Sequence, residues 1–389
     1  MTMCILHTVE SLSTASGGSA QMVTSLCDAL ADEAELDVTL CSQIIPGETS
    51  VAPVPDSRVT RRLAPGNAGL WRRCGGPLSR LVTRTIAEEK PALIHDHGLW
   101  APPHHAIAEA CRKYGIPLVL HSHGMVESWA LSWHAWRKKI AWNAWVRRDL
   151  QMVTLFMATA EHEVISIRRL GFRQPIACIA NGVLLPDAET VACLRVSPPP
   201  VRVALFVGRI HPIKGLLNLI DAWQTARSPG WRLILAGPDE GGHRRQVEEK
   251  IRAHGLSADI SWAGEVQGAE KMRLFATSDL FILPSFSENF GVVVAEALAY
   301  GLPVITTTGT PWREITEFGC GWWVEPRVDA LVDALRQATA IPGSELRAMG
   351  ERGRALARRY DWRTIAQQTA AVYRWLLQKD KRPDWVTVD

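Results

Sequence analysis

The stretch Val203-Ala-Leu-Phe-Val-Gly208-Arg209-Ile-His-Pro-Ile-Lys214-Gly215-Leu-Leu-Asn-Leu-Ile220 reads as a buried strand, a tight turn and the start of a helix. The run of apolar residues at 203–207 has the length and composition of a strand covered on both faces. Arg209 and Lys214 flank the turn, and the helix behind it brings unpaired N–H groups and a positive end. Two cations beside a helix N-terminus suit a diphosphate, and a departing diphosphate gains negative charge that such groups stabilise. A solvated basic loop after a strand is the plainer reading, and it stays open on this segment alone. The turn carries neither the Gly-x-Gly-x-x-Gly of dehydrogenases nor a Walker loop.

The same alternation runs along nearly the whole chain of 389 residues. Upstream, short apolar runs occur at Cys4–Thr8, Leu36–Cys41, Ala92–His95, Pro117–His121, Leu155–Thr159 and Ile176–Ala180. From the opening stretch onward they occur at Val203–Val207, Arg232–Ala236, Ile260–Ala263, Leu280–Pro284, Pro303–Thr306 and Gly321–Val324. Such runs between amphipathic helices predict parallel strands in doubly wound sheets, an α/β architecture. The alternation breaks once, between Leu184 and Arg202, where Pro198, Pro199 and Pro200 exclude a helix or inner strand. The predicted organisation is an N-terminal domain over 1–184, a linker over 185–201 and a C-terminal domain over 202–361. A last helix in 362–389 is expected to pack back on the first domain.

Composition fits that division, since a chain of this length exceeds one core and suggests two domains of about 150–200 residues. Apolar residues make up 47% and charged residues 21%, and a formal charge of +3 is too small to make nucleic acid the main partner. Cys4, Cys27, Cys41, Cys74, Cys111, Cys178, Cys193 and Cys320 are scattered, which fits neither a disulfide framework nor a zinc spacing and points to a reducing cytoplasm. The start of the chain lacks the basic head and apolar core of a signal peptide. No stretch approaches the roughly 20 apolar residues of a membrane span. A cytoplasmic protein is expected, with room for peripheral contact on the inner membrane.

A second strand–turn–helix lies at Leu280-Phe-Ile-Leu-Pro-Ser-Phe-Ser-Glu288-Asn289-Phe290-Gly291-Val292-Val-Val-Ala-Glu296-Ala-Leu-Ala299. Glu288 falls in the turn and Glu296 inside the helix, about 12 Å further along the axis and on nearly the same face. Carboxylates so placed can grip two sets of hydroxyls, and the amides of Asn289, Phe290, Gly291 and Val292 face the same space. Two glutamates on one helical face are often simply solvated. Here the neighbours are almost all apolar, and a lone carboxylate among them calls for a polar partner.

Gly208-Arg209-x4-Lys214-Gly215 followed by Glu288-x7-Glu296 resembles the retaining glycosyltransferases of family 4. Their GT-B fold has two doubly wound, Rossmann-like domains facing across a cleft. The resemblance covers most of the chain and extends to Gly17-Gly18, Asn181-Gly182-Val183 and Gly237-Pro238. It implies transfer from a nucleotide diphosphate sugar held mainly by the second domain. Arg209 and Lys214 would neutralise the diphosphate, Glu288 would contact the transferred sugar, and Glu296 the ribose. Gly17 and Gly18 would let the backbone approach donor phosphates or acceptor. The resemblance also implies retention, with the leaving phosphate helping to take the acceptor proton.

No Asp-x-Asp pair follows a strand, so the two cations stand in for an ion, and neither a metal nor another cofactor is expected. His95-Asp96-His97 does not make a metal site by itself, because adjacent strand residues alternate faces and a catalytic site needs three protein ligands. His95, His97, His104, His105, His121 and His123 crowd the first domain. His97 and His123 sit where strands give way to loops, the end at which open sheets gather ligands. With Trp100 and Met125 they are the acceptor-side candidates. His123 resembles the family histidine that touches the donor sugar or the acceptor, with a structural, hydrogen-bonded histidine as the alternative. His104 and His105 are expected on a helix surface.

Residues 128–148 combine tryptophan with base. Trp129, Trp133, Trp136 and Ile140 share one helical stripe, and Arg137, Lys138, Lys139, Arg147 and Arg148 add positive charge. A helix lying on an anionic bilayer and a helix packed into the core both remain open. The expected activity is metal-independent, retaining transfer of a sugar to a saccharide acceptor, lipid-linked, in polysaccharide or lipopolysaccharide assembly. The alternatives are a nucleotide-sugar isomerase or epimerase of the same architecture and a non-catalytic nucleotide-sugar-binding partner. An epimerase needs acid and base on opposite sugar faces, which Glu-x7-Glu fits poorly. A silent binder has no need of a charge-matched leaving-group site.

Overall fold

The computed structural model describes residues 2–13, 18–44, 47, 57–66, 76–127, 130–131, 135–194, 201–226, 229–378 and 380–388. The chain forms two compact units, Met1–Gly182 with Trp362–Asp389, and Val183–Asp361.

The first unit holds strands β1 (Met3–Ser11), β2 (Leu36–Ile44), β3 (Thr60–Pro65), β4 (Leu93–His97), β5 (Leu118–His121), β6 (Leu155–Ala158) and β7 (Ile176–Cys178). They lie parallel in the order β7-β6-β5-β4-β1-β2-β3. Alternation along a strand sends Ile5 to one buried layer and Leu6 to the other, so the sheet has a core on each face. The second unit holds β8 (Arg202–Val207), β9 (Trp231–Ala236), β10 (Ile260–Gly264), β11 (Leu280–Leu283), β12 (Val304–Thr307) and β13 (Gly321–Val324), parallel in the order β10-β9-β8-β11-β12-β13. Each apolar run read from the sequence coincides with one of these strands.

The C-terminal helix Trp362–Leu376 belongs to the first unit. Trp362, Ile365, Ala366, Thr369, Ala370 and Tyr373 recur every three or four residues on its buried face. A short β14 (Val386–Thr387) then pairs antiparallel with β7.

Two features depart from the sequence reading. The strand β3 was not among the apolar runs because it is a charged edge strand, whose Arg62 pairs with Glu88 and Glu89. The segment 185–201 is not a plain linker, and the units divide between Gly182 and Val183. Asp187 caps the helix Ala188–Leu194 by accepting the Thr190 amide at 2.7 Å, and that helix packs on Gly268–Thr277 in the second unit, with Val191 buried. Pro198, Pro199 and Pro200 lie outside the described residues.

Candidate active site

In the second unit the turns after β8, β11 and β12 are tied to one another at the carboxyl ends of the strands. The Phe286 amide donates to Ile213 O at 2.8 Å, and the Glu288 amide donates to Gly309 O at 2.8 Å. After β9, Gly237 has φ 140°, and a Cβ there would fall 1.9 Å from Gly208 O, so the turn bearing Arg209 requires glycine beside it. His211 opens the single turn Pro212–Lys214, its Nδ1 accepting the Ile213 amide at 3.2 Å.

This scaffold aims Lys214, which is 9% exposed, at Glu288. Lys214 Nζ donates to Glu288 Oε1 at 2.5 Å, and Ser285 Oγ donates to the same oxygen at 2.6 Å. A buried ion pair is poor evidence for stability, since apolar replacements are often neutral, while removing one partner costs about 3–5 kcal/mol. Its presence at the ligand-gathering end of the sheet is better explained by chemistry.

Gly291, at φ 73°, precedes the helix Val292–Ala299 as its cap, and Trp312 Nε1 donates to Phe290 O at 2.6 Å, with the Phe290, Trp312 and Tyr360 rings in mutual contact. Asn289 stands in the same turn. Glu296 Oε1 accepts from Lys271 Nζ at 2.7 Å, while its buried Oε2 has no hydrogen-bond partner. Arg209 pairs with Glu240, both about half exposed, a contact worth at most about 1 kcal/mol and easily exchanged for a ligand. The structure thus joins Lys214 to Glu288, and gives Arg209 and Glu296 other partners. Ser285, Lys271 and Glu240 were missed because only the tertiary fold brings them to these groups.

In the first unit, β1, β4 and β5 stack histidines on one face of the sheet. The register sets His7 opposite His95, and His97 opposite His121. His7 Nδ1 lies 3.0 Å from His97 Nε2, and His97 Nδ1 lies 3.1 Å from His123 Nε2. His95 Nδ1 lies 2.6 Å from the hydroxyl of Tyr373, and the His121 ring stacks on His123 at 3.8 Å. Burial pushes the His7 and His121 imidazoles down to about 3. Burial, reinforced by the neighbouring rings, holds His95, His97 and His123 well below the ordinary histidine value. These side chains are neutral near pH 7.

Asp96 points to the opposite face, where it accepts from Thr8 Oγ1 at 2.7 Å and meets His104 Nδ1 at 2.8 Å. His104 is therefore not a surface residue, because the helix Pro102–Tyr114 turns its first turn toward this buried carboxylate. Burial opposes charge on His104, but the Asp96 carboxylate outweighs it and raises the pKa. His105 is half-buried and pairs with Asp149 at 2.8 Å.

His123 sits at φ 48°, in the left-handed region, held by its neighbours. The fully buried Glu163 accepts Ser122 Oγ and the Gly124 amide on Oε1, both at 2.7 Å, and the Thr159 amide on Oε2 at 2.8 Å. Met22, His97, His121, His123, Ile179 and Trp362 line a narrow opening there. Trp100 Nε1 donates to Met125 O at 3.1 Å, and both side chains pack partly against the core. Gly18 begins the helix Gly18–Ala31, with nothing within 4 Å of an added Cβ. Gly17 lies outside the described residues.

Among the described residues, His7 with His95 and His97, His97 with His121 and His123, and His105 with Glu109 and Asp149 bring possible metal-ligating atoms within 4.8 Å of one another. The His121 and His123 rings are stacked 18° from parallel, so their in-plane lone pairs run side by side instead of converging on an ion.

The tryptophan-rich segment divides between the two readings. Trp142 and Trp145 pack partly against the core, whereas Trp136 is 64% and Ile140 60% exposed. Trp129 and Trp133 lie outside the described residues. Among the described residues no helix is long and apolar enough to cross a membrane.

Residues 16–185 match the family model described as Glycosyltransferase Family 4, and residues 196–356 match Glycosyl transferases group 1. A glycogen synthase of Mycobacterium tuberculosis is 29% identical over 334 residues, 82% of this chain and 77% of its own length. The GDP-mannose:cellobiosyl-diphosphopolyprenol alpha-mannosyltransferase of Xanthomonas campestris is 27% identical over 65% of this chain and 66% of its own. Sucrose-phosphate synthase from Thermosynechococcus elongatus shares the fold, with a TM-score of 0.80 over 97% of this chain and 100% of that one at 22% identity. With both of its halves matched and its strands laid out as two parallel sheets, the chain belongs to glycosyltransferase family 4, group 1, and is a GT-B enzyme that uses a nucleotide-sugar donor.

Proposed function

We propose that the enzyme transfers a sugar with retention from a nucleotide diphosphate donor to a lipid-linked saccharide, in assembly of a surface polysaccharide, with no divalent ion at the diphosphate. The buried Lys214–Glu288 pair carries this reading. Glu288 holds the ammonium in place before the donor arrives, so positive charge is preorganised for the phosphate that leaves. Arg209 exchanges the exposed Glu240 for phosphate oxygens. Glu296 offers its unpartnered Oε2 to a ribose hydroxyl, and Glu288 reads hydroxyls of the transferred sugar. Retention rests on the family resemblance. The lipid-linked acceptor is supported by exposed Trp136 and Ile140 beside Arg137, Lys139, Arg147 and Arg148, which suit the cytoplasmic face of an anionic bilayer.

Incubating the protein and donor in EDTA, with and without polyprenol-linked saccharides, tests the proposal. Glycosylated lipid formed with the donor's anomeric configuration is the expected result. A new sugar nucleotide formed from donor alone would favour the isomerase instead.

A further inference from the structure

Both cations assigned to the diphosphate already have a carboxylate partner, and they hold it differently. Lys214 keeps Glu288 in a buried pair, and the Ser285 hydroxyl fixes the same oxygen. Arg209 meets Glu240 in the open, with the two side chains 49% and 47% exposed.

The open pair is more than a chance meeting of two surface side chains, because the turns that carry it are laced together along their backbones. The Gly208 amide donates to Ala236 O at 3.0 Å, and the Ile210 amide to Pro238 O at 2.8 Å. The Glu240 amide donates back to Ile210 O at 3.1 Å, and Ile210, fully buried, also bridges Asp239. The backbone of Glu240 is thus bonded to the residue next to Arg209. Only the side-chain pair is left free to open.

That arrangement makes Glu240 a competitor of phosphate. A guanidinium fork suits phosphate oxygens and carboxylate oxygens alike, so both anions use the same donors. A diphosphate carries more charge than one carboxylate and meets Lys214 in the same turn, so it takes Arg209, less the cost of the pair it breaks. We infer that Glu240 is a positioning residue that acts through Arg209. It holds the guanidinium before the donor arrives, yields it to the diphosphate, and reclaims it as the nucleoside diphosphate product leaves. The inference rests on the proposed donor site and adds a residue that lowers affinity there.

Calorimetric titration of the full chain in EDTA with UDP, GDP, ADP and dTDP tests it, the variants being compared on whichever of these binds. Glu240→Gln should tighten that nucleoside diphosphate about twofold to fivefold, the scale of one exposed ion pair. Glu240→Asp keeps the carboxylate and should return affinity toward wild type. Arg209→Gln should weaken binding, and adding Glu240→Gln to it should change nothing further. The double variant separates displacement from simple repulsion, because a carboxylate that only repelled the diphosphate would go on doing so without Arg209. Unchanged or weaker binding in Glu240→Gln overturns the inference, as does equal tightening with and without Arg209. Either result leaves the donor site standing, whereas a wild-type protein that binds none of the four overturns the donor reading together with this one.

Discussion

At the end of β8 the chain keeps a cation and a carboxylate buried together, whereas at the ends of β4 and β5 it buries imidazoles and strips them of charge. Both places are the carboxyl ends of parallel strands, where an open sheet offers backbone and side chains to a ligand. The difference follows what each would meet. A departing diphosphate would need positive charge that is already fixed, and Lys214 is held by Glu288, whose Oε1 also accepts from Ser285 Oγ. A sugar hydroxyl would need neutral partners, and the hydrogen-bonded histidine column presents uncharged imidazoles. The same fold element thus presents opposite electrostatics through burial and partners.

The largest effect expected from this contrast is on turnover. Lys214→Ala should lower kcat by a hundredfold to a thousandfold, the scale of about 2.7–4 kcal/mol for one transition-state donor, with a smaller change in donor KM. Steady-state kinetics measures it on a variant that melts lower, as loss of one partner of a buried pair implies, but stays folded at the assay temperature. An unaltered kcat would break the charged half of the comparison.

Acid should break the neutral half. The folded-state pKa values of His7 and His121 lie near 3, below the ordinary value of 6.5, so the unfolded chain binds these protons first as pH falls. Their stability contribution is whole above 6.5 and is lost on descending toward 3. Each costs about 1.4 kcal/mol per pH unit, about 3 for the two. His104 acts in the other sense, since its raised pKa adds stability below 6.5 that is lost as pH rises through the folded value. Urea unfolding at pH 7, 6 and 5 should show the first unit failing before the second. A flat profile over that range would contradict the burial of neutral rings.

The smallest effect concerns the surface. Trp136→Ser with Ile140→Ser should weaken binding to anionic vesicles severalfold and change stability by no more than about 0.5 kcal/mol, as exposed side chains do. Vesicle sedimentation and a thermal melt read both quantities, and a large loss of stability would return these residues to the core.

The sequence was most legible where burial on both sheet faces leaves uninterrupted apolar runs. It was least legible where register or tertiary contact decides. His7 stands inside the apolar run Cys4–Thr8, and only its pairing opposite His95 reveals it as part of a column. His104 looked like a helix-surface residue because its partner Asp96 comes from a strand. The strand β3 hides behind Arg61 and Arg62, and the helix at Ala188–Leu194 behind the neighbouring prolines. In the second unit Lys214, Glu288 and Glu296 were readable from turn and helix spacing. Lys271 and Ser285 were not, since no local pattern marks a partner that arrives through space.

The central claim is that the second unit binds a nucleotide diphosphate sugar without a metal ion, and thermal shift of the full chain with UDP-, GDP-, ADP- and dTDP-sugars in EDTA tests it most directly. At a hundredfold excess over Kd, about 2.7 kcal/mol of stabilisation is expected. The account predicts that sugars of one base raise the melting temperature and that Glu296→Ala diminishes the shift. No shift with any of them, or a shift that appears only when magnesium is supplied, would contradict it.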